Sequence, residues 1–376
     1  MASKTFRICT LPGDGIGPEI MAAAKRVLAE IGQHWDVEFQ CEDQLIGGSA
    51  IDATRAAGGE VSALPQATLD AAHASDAVLL AAVGGPKWDT TDPSQPRPEH
   101  GLLGIRKQLG LYLNLRPVRI FGALRNASTL KPELLDDVDI MIVRELTGGL
   151  YFGARVVEDA RPGAGGNGEP GRYASDACEY SEYEIRRVVE RAFEIASRRP
   201  KKRLCSVDKA NVLGTSKLWR EVAHEVAEFH QDIEMTDMYV DNCAMQLVAN
   251  PGQFDVIVTE NTFGDIISDE ASELSGSLGM LASASLGDGT SLYEPAHGSA
   301  PDIAGKGIAN PLAQLLSVAL MLRYSLDMGA AADELDAAIE RVLDDGWRTA
   351  DIRDADTPAD KVLGTEAMTD KVIEYL

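Results

Sequence analysis

Short apolar runs alternate with longer segments of helical period along almost the whole chain. Residues 6–11 form a β-rich run. Residues 18–31 then carry apolar positions at helical spacing behind Pro18, a residue suited to a first helical turn. Residues 77–83 are unbroken by any polar residue and stop at Gly84-Gly85-Pro86. Further strands are predicted at 138–143, 203–207 and 255–259, each bounded by turn-forming or charged residues. Amphipathic helices are predicted at 183–198 and 217–229. Strands alternating with helices predict an α/β protein with much parallel sheet. The stretch 159–171 is too rich in glycine and proline for either regular element, and it reads as an exposed loop or arm. No repeat of fixed period and no long charge block occurs.

Composition narrows the class. The chain has 376 residues with 45% hydrophobic content, enough for one large domain or two with full cores. That content, together with 35 glycines, excludes a disordered or collagen-like chain. With 35 basic against 59 acidic residues, the net charge of −24 argues against a nucleic-acid partner and against an anionic membrane surface. Residues 1–10 hold no apolar leader core, and no uninterrupted apolar run reaches the roughly 18 residues of a membrane span. A cytoplasmic protein is expected. The five cysteines (Cys9, Cys41, Cys178, Cys205 and Cys243) are far apart and form no C-x-x-C pair. Buried thiols are expected rather than disulfides or a zinc site.

Several motifs carry candidate chemistry. Gly13-Asp14-Gly15-Ile16-Gly17-Pro18 lies between a strand and a helix, but its spacing misses the dinucleotide fingerprint, and it reads better as a tight turn. Arg106, Arg116 and Arg144 sit in mostly apolar neighbourhoods, and Arg144 ends a strand. Each alone reads as a surface ion pair; converging, they would suit a small substrate with several carboxylates. After the strand ending at Thr259 a helix is predicted from near Asp265. Asp265 and Asp269, four apart, then share one face. They would suit a hard divalent cation, or Asp265 would cap the helix N-terminus. Asp241 is a possible third ligand. Lys209, in Ser206-Val-Asp-Lys-Ala-Asn-Val212, is either an ordinary ion pair with Asp208 or a proton-transfer group working with a phenol such as Tyr151. Residues 294–311, dense in Gly, Pro, Ser and Asp, describe an ordered binding loop before a long helix. His297 within it would alone be a structural hydrogen bonder.

Together these motifs resemble the β-decarboxylating dehydrogenases, the family of isocitrate and isopropylmalate dehydrogenases, over essentially the whole chain. The specific segments are Leu11-Pro-Gly-Asp-Gly-Ile-Gly-Pro-Glu19, Val83-Gly-Gly-Pro-Lys-Trp88, 206–212 and 297–311. The resemblance implies an α/β fold that is not a Rossmann fold, with two domains and a cleft between them. Residues 1–112 with 276–376 would form a discontinuous cofactor-binding domain. Residues 113–275 would form a smaller one bearing the dimer interface, an intersubunit arm at 153–181 and the metal-ligand aspartates.

The resemblance further implies NAD-dependent oxidative decarboxylation of 3-isopropylmalate in leucine biosynthesis, with Mg2+ or Mn2+. Arg106, Arg116 and Arg144 would hold the substrate carboxylates. Asp265 and Asp269 would bind the metal, with Asp241 reaching in from the other subunit of an obligate homodimer. Lys209, also from the partner subunit, would accept the hydroxyl proton, and Tyr151 would protonate the enolate. Leu102, Leu103 and Val212 would receive the isopropyl group. Gly85 and Pro86 would help hold the dinucleotide, and Glu99 would approach its nicotinamide ribose. His297, Gly298, Ser299, Ala300, Pro301, Asp302, Ile303, Ala309 and Asn310 would complete its site, with Asp302 selecting NAD over NADP. Residues 161–171 match no catalytic motif, and local variation at 242–243 and 260–262 leaves metal preference open. The rival readings are a relative acting on tartrate, D-malate, isocitrate or homoisocitrate, and a non-catalytic regulatory homologue. An acidic chain with 12 lysines against 23 arginines also suits a salt-rich cytoplasm.

Overall fold

The computed structural model describes residues 4–90, 92, 95–128 and 130–376. Met1, Ala2 and Ser3, which open the segment searched for a leader, lie outside the described residues. In chain order the strands are β1 (Lys4–Gly13), β2 (Val37–Asp43), β3 (Ala77–Ala82), β4 (Leu113–Arg119), β5 (Asp139–Glu145) and β6 (Arg155–Arg161). They continue as β7 (Gly171–Asp176), β8 (Arg203–Asp208), β9 (Glu234–Tyr239), β10 (Val256–Thr259), β11 (Ala282–Leu286) and β12 (Ser291–Pro295). The helices are α1 (Gly17–Trp35), α2 (Gly47–Ala56), α3 (Gln66–His73), α4 (Pro98–Gln108), α5 (Glu182–Ser197) and α6 (Gly214–Ala227). After these come α7 (Val240–Ala249), α8 (Asn261–Ser272), α9 (Leu312–Tyr324), α10 (Gly329–Asp344) and α11 (Thr365–Tyr375).

Two compact units emerge, Met1–Asp139 with Ala271–Leu376, and Ile140–Glu270. In the first, strands run in the order β2-β1-β3-β12-β11-β4. The β2–β1, β1–β3 and β3–β12 pairs are parallel, and β12–β11 and β11–β4 are antiparallel. Every residue of β3 is buried, so the run at 77–82 carries no alternation: helices cover a parallel strand on both faces. The tight-turn reading of the first glycine cluster holds. Gly13 and Gly15 take φ of +67° and +59°, and α1 begins at Gly17 with Pro18 in its first turn. A Cβ on Gly15 would stand 2.0 Å from the Ser299 carbonyl oxygen, which accepts the Ile16 N–H. The turn therefore buttresses the 297–303 loop.

In the second unit the order is β5-β10-β8-β9, all parallel. A Ser181–Glu184 capping box starts α5, whose Ile185, Val188, Val189, Ala192 and Phe193 are buried. β6 and β7 pair antiparallel as a separate hairpin.

Two expectations need correction. The predicted loop 159–171 is shorter: β6 runs through Arg161 and β7 starts at Gly171, leaving 162–170 as the turn. Cross-strand pairing overrides the local Gly and Pro preference, and Arg161 lies over the Tyr173 ring at 3.6 Å. The helix predicted from near Asp265 begins at Asn261, because the Glu260 carboxylate accepts the N–H groups of Thr262 and Phe263 at 3.1 and 2.9 Å. Asp265 is thus in the second turn, and the reading of it as the helix cap fails. In the 294–311 segment, Glu294 and Pro295 belong to β12, and the Asn310 side chain caps α9 by accepting from Leu312 N–H. All five cysteines are free, and burial pushes the Cys9 thiol up to about 12. Among the described residues no helix is long and apolar enough to cross a membrane.

Candidate active site

β5 and β10 run parallel with Arg144 in register with Thr259, so both strands deliver their next residues to the same carboxyl edge, where open α/β sheets bind ligands. Arg144 is nearly buried, at 6% exposure, and its guanidinium is fully engaged on one side. Nε and Nη2 donate to the Asn261 Oδ1 at 3.0 and 2.8 Å, and Nη1 pairs with Asp265. The other oxygen of Asp265 accepts the Tyr151 hydroxyl at 2.8 Å, and Arg144 also lies 5.9 Å from the Tyr151 ring centroid. Burial, then the bond to Asp265, raises the Tyr151 pKa, so the phenol keeps its proton at neutral pH. Asp269 stands exposed one turn further along α8.

Lys209 follows β8 and donates to Asp241 Oδ1 at 2.7 Å. The bond to Lys209 holds the Asp241 carboxyl below its usual range. The alternative pairing with Asp208 is overturned: Asp208 accepts two bonds from Arg220 at 2.8 and 2.9 Å instead. Asp241 is not brought to Asp265 and Asp269 within one chain. Among the described residues no three His, Cys, Asp or Glu side chains gather as a metal site. The hard oxygens of Asp265 and Asp269 nonetheless fit magnesium or manganese, which take one or two carboxylates plus substrate oxygens and water. Val212 lies exposed just after Lys209.

In the first unit, Leu102, Leu103 and Arg106 lie on α4, with Leu103 half exposed. Arg106 Nη2 pairs with Glu294 at 2.6 Å, while its Nε is buried without a partner. Arg116 Nε donates to Asn114 Oδ1 at 3.0 Å; the Asn114 amide in turn donates to Ser283 Oγ at 2.9 Å, fixing the arginine to β11.

The loop after β12 walls a cleft of about 700 Å³ lined by Ile16, Leu278, His297, Gly298, Ala300, Ile303, Ile308, Ala309, Asn310 and Asp351. Pro301 and Asp302 lie exposed in the same loop. Ser299 Oγ donates to the Gly84 carbonyl at 2.8 Å, joining this loop to the 84–86 segment, where Pro86 is exposed. His297 Nδ1 bonds the Gly298 carbonyl at 2.9 Å, leaving Nε2 buried and unpartnered. Burial lowers the His297 pKa and keeps the ring neutral. Volume, apolar walls and this orphaned acceptor fit a dinucleotide. Glu99, at the start of α4, faces the 84–86 segment, its Oε1 3.5 Å from where a Cβ on Gly84 would stand, and it also lies by Asp89, Thr90 and Arg97.

The sequence reading did not single out Asn114, Tyr180, Asn261, Glu294 or Asp351. Only Asn114 left a trace, its i,i+2 spacing to Arg116 on one strand face. Asp14 was also missed. Its buried carboxylate accepts N–H groups from Gly48, Ser49 and Gly84 at 2.8, 2.7 and 2.8 Å, fixing the 84–86 loop.

Residues 7–372 match the isocitrate/isopropylmalate dehydrogenase family. The 3-isopropylmalate dehydrogenase of Aquifex aeolicus is 52% identical over 375 residues, covering 99% of this chain and 98% of that one. Its counterpart from Xanthomonas euvesicatoria is 55% identical over 375 residues, covering 98% and 99%. The crystal structure of isocitrate dehydrogenase from Methylococcus capsulatus superposes with a TM-score of 0.80 at 34% identity, covering 98% of this chain and 99% of that one. With the arginine, aspartate and tyrosine set at the strand ends and likeness along its whole length, this chain is an enzyme belonging to the isocitrate/isopropylmalate dehydrogenase family.

Proposed function

We propose that the chain catalyses NAD-dependent oxidative decarboxylation of (2R,3S)-3-isopropylmalate to 4-methyl-2-oxopentanoate and CO2, a cytoplasmic step of leucine biosynthesis requiring Mg2+ or Mn2+. The observation that carries this reading is the meeting of Arg144 and Tyr151 on the two oxygens of Asp265. A carboxylate grip, a proton donor and a hard-cation ligand then converge on one substrate. When bound, the cation would polarise the C2 oxygen and NAD would accept the hydride from C2.

The chain's own residues do the rest. Arg106, Arg116 and Arg144 hold the two substrate carboxylates in bidentate fashion. Lys209 takes the C2 hydroxyl proton, and Tyr151 returns a proton to the carbon that loses CO2. Leu102, Leu103 and Val212 take the isopropyl group, worth about 1–3 kcal/mol of discrimination against a polar side arm. Asp265 and Asp269 would hold the cation. A second copy would deliver Lys209 and Asp241, making the working form a homodimer with shared sites. The 297–303 loop with Ala309, Asn310, Gly85, Pro86 and Glu99 would hold NAD, and Asp302 would repel a 2′-phosphate.

The test is a substrate panel followed by NADH absorbance with added magnesium. Isopropylmalate should react fastest; faster turnover of isocitrate, tartrate or D-malate overturns the substrate. Asp269→Asn should abolish metal-dependent turnover in a folded protein. Equal use of NADP and NAD would remove the role given to Asp302.

A further inference from the structure

The buried polar group behind Arg144 has no part in the chemistry above. Asn261, fully buried, holds the guanidinium through one oxygen while its Nδ2 donates to the Gly148 carbonyl at 2.9 Å. With the nitrogen committed there, the oxygen must face Arg144. The backbone N–H of Asn261 donates to the Tyr180 hydroxyl at 3.0 Å. That hydroxyl lies 3.1 Å from Glu260 Oε2 and 3.2 Å from Glu145 Oε2. Glu145 follows Arg144 in β5 and accepts the Thr147 and Gly148 N–H groups at 2.8 and 2.7 Å. Glu260 caps α8. The phenol therefore ties the end of β5 to the start of α8, on both sides of the residue that grips Arg144.

A buried hydroxyl and two buried carboxylates are a costly way to fill space that an apolar side chain would fill. What the polar set adds is direction. We propose that Asn261 is a positioning residue for Arg144, locked in place by the Tyr180 hydroxyl, and that together they aim the guanidinium at the substrate carboxylate. This rests on the reading of Arg144 as a substrate-binding residue.

The full-length enzyme tests it through Tyr180→Phe, Asn261→Ala, Asn261→Asp and the control Arg144→Lys. Each is assayed for KM of isopropylmalate, KM of NAD, kcat and thermal midpoint, with calorimetry of isopropylmalate binding in the absence of NAD. Tyr180→Phe and Asn261→Ala should raise the KM for isopropylmalate about tenfold or more, the effect of one hydrogen bond to a charged group, with the KM for NAD within about twofold. Asn261→Asp loses the donor to the Gly148 carbonyl that orients the side chain and sets a carboxylate against Arg144, so it should raise the KM for isopropylmalate as well. The double variant should be no worse than Asn261→Ala, since both act along one path. A lower thermal midpoint with both KM values unchanged, or both rising together, overturns the proposal. So does an Asn261→Asp variant with the wild-type KM for isopropylmalate. If Arg144→Lys itself leaves isopropylmalate binding intact, the reading of Arg144 falls and the proposal with it. If Arg144→Lys impairs binding while Asn261→Ala does not, the proposal alone falls.

Discussion

Arg144 lies flat over α8 because residue 264 is glycine. A Cβ there would stand 2.6 Å from Arg144 Cγ and 2.8 Å from its Cβ. Gly264→Ala should cost about 1–3 kcal/mol and raise the KM for isopropylmalate several-fold, because the guanidinium must move. Steady-state kinetics and thermal melts check this, and an unaltered KM would show that the arginine does not work from this position. Tyr151 keeps its proton beside Asp265, as a general acid must. Tyr151→Phe should lower kcat by about 10²- to 10³-fold, leaving KM within a few-fold. A parallel loss in KM would instead mark Tyr151 as a binding group. Burial raises the Glu260 pKa above its ordinary value, outweighing the bonds from Phe263 and Thr262. Its raised folded pKa means a stability contribution present at low pH and lost as pH rises through that pKa. Glu260→Gln lacks this loss. Its thermal midpoint relative to wild type should become more favourable between about pH 4.5 and pH 8, the window above the ordinary carboxylate range. The opposite slope in melts across that range would contradict the assignment.

Elements with a strong apolar pattern are legible in the sequence. Residues 77–83 read as a buried strand from a short apolar run stopped by Gly84-Gly85-Pro86, and 183–198 as a helix from its period. The start of α8 was not legible. Glutamate is a poor N-cap signal in sequence, and Glu260 caps the helix only because the fold buries its carboxylate beside Tyr180. The β6–β7 hairpin was half hidden for a similar reason. Its pairing is cross-strand, while the local composition at 162–170 argues for a turn. Val156 and Val157 stand 41% and 73% exposed on it, more apolar surface than a strand facing only water would carry. Val157→Asp should therefore shift the proposed homodimer towards monomer and abolish turnover while the fold stays intact. Sedimentation and circular dichroism separate these outcomes; a fully dimeric variant would clear the hairpin of that role.

At the scale of the whole molecule, the net charge of −24 is not neutralised by the ion pairs, which mostly join exposed groups such as Arg186 to Glu182 and Glu225. Such pairs are worth about 0–1 kcal/mol each, whereas the self-repulsion of the excess acid acts over the entire surface. Raising KCl from dilute buffer to about 1 M, where the Debye length falls to about 3 Å, should relieve more repulsion than attraction and lift the thermal midpoint by a few degrees. An unchanged or falling midpoint in calorimetry would mean the surface pairs dominate. By itself the sequence determined the α/β class, the strand that Arg144 ends, the aspartates sharing one helix face and the irregular loop before α9, because residue type and period are local properties of the chain. Only the tertiary structure decided which groups meet. Arg106 found Glu294, Lys209 found Asp241 rather than Asp208, and Asn261 took hold of Arg144. Those partners lie 188, 32 and 117 residues apart, so only the folded backbone brings them within hydrogen-bond reach.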